Sequence, residues 1–201
     1  MNRRHLIAAA VSGSLLLAAC GKETPSTPAA AAPDAAKAAP SAVNIAAIEA
    51  EAKGFTVGSA MSVRTVYVFF DAQCPHCAVL WKFAKPLKSQ AKFVWIPVRI
   101  LNDASESQGA AILAAKDPVQ AMDDHEASMA AKGGGISAME KLEEQRAQVK
   151  KNTQLFNKFG FASIPSIVAM NAKTNTLVTH EGALPTAELA AFLGLQAPAA
   201  Q

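Results

Sequence analysis

Val63 to Phe70 is an apolar, β-branched run, the pattern of a strand buried on both faces. Phe93 to Ile100 predicts a second strand, in which Pro97 marks a bulge or an early end. Ser166 to Met170 and Thr176 to His180 predict two more, joined through Asn171 to Asn175 as a hairpin. Between these runs the apolar spacing becomes helical. Asn44 to Lys53 reads as a short helix closed by Gly54, and Pro75 to Gln90 as a longer one kinked by Pro86. Asn102 to Gly160 is predicted to be a helical block. Ser105 to Lys116 forms its first helix, and Asp117-Pro118 supplies the cap and first residue of a second ending near Gly133. A third helix runs from about Ser137 to Phe159, with Leu142, Val149, Leu155, Phe156 and Phe159 as its apolar stripe and Gly160 as its stop. Thr186 to Leu193 predicts a closing helix. Alternating strands and helices of this order predict an α/β fold with a helical insertion between the second and third core strands.

The region before Val43 has a different pattern. Arg3 and Arg4, an apolar stretch from Leu6 to Leu17, and the small residues Ala18-Ala19 make residues 1–19 an expected export signal, too short for a spanning helix. Leu17-Ala18-Ala19-Cys20 resembles a bacterial lipobox, which implies lipidation of Cys20 and a membrane attachment through it. Residues 22–42 are rich in Ala, Pro, Ser and Thr with no large apolar residue. Such a stretch cannot offset its ordering entropy, so residues 20–42 are expected to be a lipidated flexible tether, and residues 43–201 the folded domain.

Charge adds little. The formal net charge is +3, from 19 basic and 16 acidic residues; losing Arg3 and Arg4 with the signal leaves 17 against 16. Nothing in that balance points to nucleic acid or a polybasic membrane surface.

The chemistry lies at Cys74-Pro75-His76-Cys77, between the first long strand and the helix after it. A helix N-terminus presents unpaired N–H groups and partial positive charge, which favour a thiolate over a thiol. Pro75 suits the first helical turn, where its missing N–H costs nothing. Two intervening residues let the sulfurs meet, so Cys74 and Cys77 form a redox-active pair. Half a zinc site is disfavoured, because His5, His125 and His180 are scattered and no second ligand pair has matching spacing. A structural bridge is disfavoured because so short a loop constrains the unfolded chain little. With Cys20 lipidated, the three cysteines are accounted for, and export gives an oxidising compartment. No metal and no cofactor are expected.

Placed at this junction, the motif marks a thioredoxin-like layout. The chain further resembles the DsbG/DsbC branch of periplasmic thiol:disulfide oxidoreductases. The residues that carry the resemblance are Val68-Phe69-Phe70-Asp71 leading into the cysteines, Ala110 to Pro118, Glu126-Ala127-Ser128, and Ile164-Pro165. It implies that Cys74 is the exposed nucleophile and Cys77 the resolving thiol. Pro165 is then a cis-proline against the disulfide, with Ile164 offering its backbone to a bound peptide.

Four departures qualify these roles. Members of the branch dimerise through a separate N-terminal domain, whereas only the tether and a short helix precede the domain here, so a monomer without isomerase activity is expected. His76 replaces the branch's aromatic residue and gives the motif of the strongly oxidising DsbA; its imidazole is expected to stabilise the Cys74 thiolate. Ile164 replaces a threonine. The buried acid found six residues before the first cysteine in many thioredoxin-like proteins is Val68 here; Asp71 is the nearest carboxylate, equally readable as a strand-end residue.

The resulting expectation is an envelope oxidase that passes its Cys74–Cys77 disulfide to exported cysteine-containing proteins and is served by a membrane redox partner of the Dsb type. Gly21 favours the outer membrane over the inner. The alternatives are a DsbG-type reductase or isomerase rescuing oxidised cysteines, and a non-catalytic metal-handling or chaperone-like lipoprotein using Met122, Met129 and Met139.

Overall fold

The computed structural model describes residues 40–137 and 141–198. The export signal, Cys20, the tether as far as residue 39, and Met139 lie outside the described residues. The elements are α1 (Ile45–Glu51), β1 (Phe55–Gly58), β2 (Thr65–Phe70), α2 (Pro75–Ala84), β3 (Lys92–Pro97), α3 (Asp103–Ala114), α4 (Pro118–Ala130), α5 (Glu143–Lys158), β4 (Ser166–Met170), β5 (Leu177–Glu181) and α6 (Thr186–Leu193). Among the described residues no helix is long and apolar enough to cross a membrane.

This is the expected thioredoxin-like α/β fold, with a five-stranded sheet in the order β1-β3-β2-β4-β5. Strands β2 and β3 are parallel and the other pairs antiparallel. The all-apolar reading of β2 is explained by its neighbours. Val66, Val68 and Phe70 meet α2 and α6 through Leu80, Trp81, Ala84, Leu189 and Leu193. Tyr67 and Phe69 point the other way, to Ile48 of α1 and Leu155 and Phe156 of α5. A strand covered on both faces needs apolar side chains at both parities. Edge-to-face contacts among Phe55, Phe70, Trp81 and Trp95, with centroids 4.9–6.1 Å apart, lock α2 to the sheet.

Four features differ from the sequence reading. Strand β1 was not expected: it has four residues, and only its pairing with β3, with Phe55 opposite Trp95, makes it a strand. Pro86 does not kink α2 but ends it, in a 3-10 turn at Lys85–Leu87, since its missing N–H removes a helical bond. Pro97 closes β3 three residues before Ile100, the early end rather than the bulge among the two outcomes the sequence allowed. Helix α5 starts at Glu143 rather than near Ser137, after Lys141 takes a left-handed φ of 60°.

The register sets up the site. Phe69 pairs with Ser166, so the end of β2 and the start of β4 lie side by side. The residues just after β2 and just before β4 therefore meet, although 90 positions separate Cys74 from Ile164.

Candidate active site

Cys74 is the N-cap residue of α2, and Pro75 occupies its first turn. Both sulfurs are free thiols in this structure. Cys74 is 6% exposed and Cys77 fully buried, facing the core beneath. Cys74 is thus less exposed than the sequence reading expected, but it lines the groove beside α2 and Cys77 does not. The electrostatic difference is larger. A hydrogen bond from the Cys77 thiol holds the Cys74 thiol down, to about 6, helped by the backbone N–H groups of Cys77 and His76; burial and the Asp71 carboxylate oppose them. Burial pushes Cys77 well above the ordinary thiol range, and the hydrogen bond and negative charge of Cys74 add to it. The pair can therefore hold one sulfur as a thiolate and its neighbour as a thiol at neutral pH.

His76 is exposed at the start of the helix. Its main-chain N–H is among the donors that favour the Cys74 thiolate. Asp71 resolves to its strand-end role. Its Oδ1 accepts the Gln73 N–H at 2.8 Å, and its Oδ2 accepts those of Ile100 and Leu101 at 2.8 and 3.0 Å. A carboxylate so engaged pins the loops after β2 and β3 together.

The Ile164–Pro165 bond is cis. The Cys74 thiol donates to the Ile164 carbonyl oxygen at 3.8 Å. The loop before β4 is itself held: one Glu181 oxygen accepts the N–H groups of Ala162 and Ser163 at 2.9 and 2.6 Å, and the Gly182 N–H donates to the Pro165 carbonyl at 2.7 Å. Thus Cys74, Pro75, His76, Cys77, Ile164 and Pro165 come together at one end of the sheet, while Cys20 lies outside the described residues.

Beside Cys74 a groove of about 460 Å³ opens between α2 and α4, lined by Ala72, Gln73, Cys74, Pro75, Ala78, Val79, Lys82, Glu126, Met129 and Ala130. Its far wall belongs to the helical insertion, and there sequence reasoning missed residues. His125, fully buried, donates from Nε2 to the Ala72 carbonyl at 2.7 Å and accepts the Ile136 N–H on Nδ1 at 3.0 Å. That pattern requires the neutral ring, and burial lowers its pKa accordingly. The Gln73 amide donates to the Gln108 side chain, and Gln108 to the Gly134 carbonyl at 2.7 Å. Trp81 Nε1 donates to Asp123 at 2.6 Å, which also pairs with Lys85. Glu126 is buried in the groove wall, and burial raises its carboxyl to about 7.

A signal for these residues was present. Met122, His125, Glu126 and Met129 sit at i, i+3, i+4 and i+7 on α4, so two titratable residues share a stripe with apolar ones. Met122 is fully buried in the core, and among the described residues no group of three His, Cys, Asp or Glu is placed to hold a metal.

Comparison with known proteins agrees with this geometry. The thioredoxin-like domain family model matches residues 57–197. The thiol:disulfide interchange protein DsbG of Pseudomonas aeruginosa is 35% identical over 140 residues, covering 68% of this chain and 54% of that protein. The chain spans about half the length of the curated relatives it matches. Among solved structures, a thioredoxin-like oxidoreductase from Silicibacter pomeroyi superposes with a TM-score of 0.57 at 22% identity, over 76% of this chain and 96% of that one. The DsbA2 protein of Pseudomonas aeruginosa superposes with a TM-score of 0.56 at 21% identity, over 70% and 95%.

Proposed function

The chain belongs to the thioredoxin-like domain family, and from that premise we propose that it is a thiol:disulfide oxidoreductase of the bacterial envelope, working chiefly as an oxidase. The observation that carries this reading is the asymmetry of the two sulfurs, Cys74 held near 6 and Cys77 well above the usual range. A substrate thiolate attacks Cys74, the Cys74–Cys77 bond opens, and Cys77 leaves as the buried thiol. A second substrate thiolate then attacks the substrate sulfur and releases Cys74 as a stable thiolate. With a pKa near 6, ionisation at pH 7 favours the dithiol form about tenfold over an ordinary thiol pair, roughly 30 mV in the oxidising direction. Ile164 and Pro165 hold the substrate backbone beside Cys74.

The rest of the assignment follows from the sequence. Residues 1–19 act as a lipoprotein signal, Cys20 carries lipid, and the segment to residue 42 tethers a monomeric domain of residues 43–201 on the periplasmic side, at the outer membrane. Exported cysteine-containing proteins are the substrates, and a membrane protein of the Dsb type restores the disulfide. Equilibration with glutathione tests the central claim: a potential of about −240 mV or above is expected, and one near the −270 mV or so of thioredoxin removes the oxidase role.

The likeness to DsbG favours a second reading, a reductase that rescues single oxidised cysteines. Substrates trapped by Cys77→Ala separate the two. Partners with paired cysteines support oxidation; partners with single cysteines support rescue.

A further inference from the structure

The chain treats its buried carboxylates unequally. Asp71 gives both oxygens to backbone N–H groups. Glu106 is ringed by Arg99, Arg146 and Lys150 at 3.6–3.9 Å. Glu126 is 8% exposed and, among the described residues, has no hydrogen bond and no cation within 4 Å, so its carboxylate oxygens keep contact with the solvent of the groove. Covering most of an acid without a cation or hydrogen-bond donor beside it disfavours its charged form. What Glu126 has is the groove: it shares that wall with Met129 and lies across from Cys74 and Lys82 of α2.

We infer that Glu126 is a general base of the exchange reaction, taking the proton of a substrate thiol that enters the groove so that the sulfur attacks Cys74 as a thiolate. The inference rests on the oxidoreductase reading above. A free thiol titrates near 8.5, so only a few per cent is ionised at pH 7. A base works best when its own affinity for protons lies near the working pH, and burial has moved Glu126 to about 7. In the dithiol form, besides burial, Lys82 pulls it down while the Cys74 thiolate and Asp123 on its own helix push it up; in the disulfide form that a substrate attacks, the Cys74 charge is absent and burial is the main cause that raises it. Lys85, which pairs with Asp123, offsets part of the Asp123 effect.

The step balances. The S–H proton passes to the Glu126 carboxylate. The substrate sulfur bonds to Cys74, the Cys74–Cys77 bond breaks, and its electron pair stays on Cys77, which takes a proton from water. Attack by the second substrate thiolate closes the substrate disulfide and frees the Cys74 thiolate. The substrate dithiol is oxidised and the protein disulfide reduced, while Glu126 returns its proton to solvent.

The test is the rate at which the full-length oxidised protein oxidises a reduced two-cysteine peptide, measured from pH 5.5 to 9.5 with the parent, Glu126→Gln and Lys82→Met. The expected result is that Glu126→Gln is slower by about tenfold at pH 7. Its deficit vanishes above about pH 9, where the peptide thiols ionise unaided. Lys82→Met should shift the parent's neutral limb upward by half a unit or more. If Glu126→Gln fails to fold, judged by circular dichroism, the Lys82→Met shift alone decides. A deficit that is constant with pH shows a structural role and overturns the inference. A Glu126→Gln protein faster than the parent at pH 7, or an unmoved limb in Lys82→Met, overturns it as well. A parent no faster than Cys74→Ser defeats the oxidoreductase reading together with the base; an active parent with parallel profiles defeats the base alone.

Discussion

The sheet core and the helical insertion meet at Cys74, and they are built by different means. On the core side, α2 is fastened to the sheet by Phe55, Phe70, Trp81 and Trp95, and the loop carrying Ile164 and Pro165 follows from strand register. The insertion reaches the loop between β2 and α2, and α2 itself, through polar contacts: His125 to Ala72, Gln108 to Gln73, and Asp123 to Trp81. Apolar packing fixes where the sulfurs are and how deeply Cys77 is buried. Directional hydrogen bonds from a separate helical layer then fix what surrounds them. On the proposed reading, the core governs which sulfur is nucleophilic, and the insertion supplies the wall of the groove beside it.

The comparison can be broken from the core side first. Cys74→Ser should abolish disulfide exchange, while Cys77→Ser should still attack and accumulate a mixed disulfide visible on a non-reducing gel; a fully active Cys74→Ser protein would overturn the division. On the insertion side, His125→Ala leaves the Ala72 carbonyl and the Ile136 N–H without their partner and opens a cavity under the active-site loop. A loss of about 2–4 kcal/mol in urea unfolding is expected; a loss below about 1 kcal/mol would make the polar clamp decorative.

Smaller effects separate the two titratable residues of α4. The folded-state pKa of Glu126 is raised, so its stabilising contribution is complete below the unfolded value near 4.5 and is lost as pH rises to about 7. Glu126→Gln should match the parent at pH 4 and exceed it by up to about 3 kcal/mol at pH 8, measured by denaturation at each pH. His125 has the opposite sense: its pKa is lowered, so its contribution holds above about 6.5 and is lost as pH falls through the folded value. Stability of Glu126→Gln should therefore decline on acidification through that range, and the decline should be absent from the double variant with His125→Asn. Last, Trp81→Phe keeps most of the ring but loses the bond to Asp123. It should cost about 1–2 kcal/mol, with the exchange rate unchanged.

Much of the fold was legible because most elements carry their own pattern. The run at β2, the Asp117-Pro118 start of α4 and the Gly160 stop after α5 needed no tertiary knowledge. Strand β1 was not legible, since four alternating residues become a strand only when β3 lies beside them. The sulfur pair and the proline loop were legible as motifs. His125 and Glu126 were not, because a polar residue on a helix stripe reads the same whether it is buried or exposed until something covers it.

The sequence by itself determined the Cys-Pro-His-Cys motif at a strand-to-helix junction, the layering of the domain and the existence of an insertion, because those depend on local spacing and hydrophobic period. Only the tertiary structure decided that Asp71 is an anchor, that His76 reaches Cys74 through its backbone, and that Glu126 faces the groove unpaired. The reason is physical. Hydrogen-bond partners and desolvation are properties of what packs against a residue, and for these three the relevant neighbours come from other segments or from the backbone's own turn into α2.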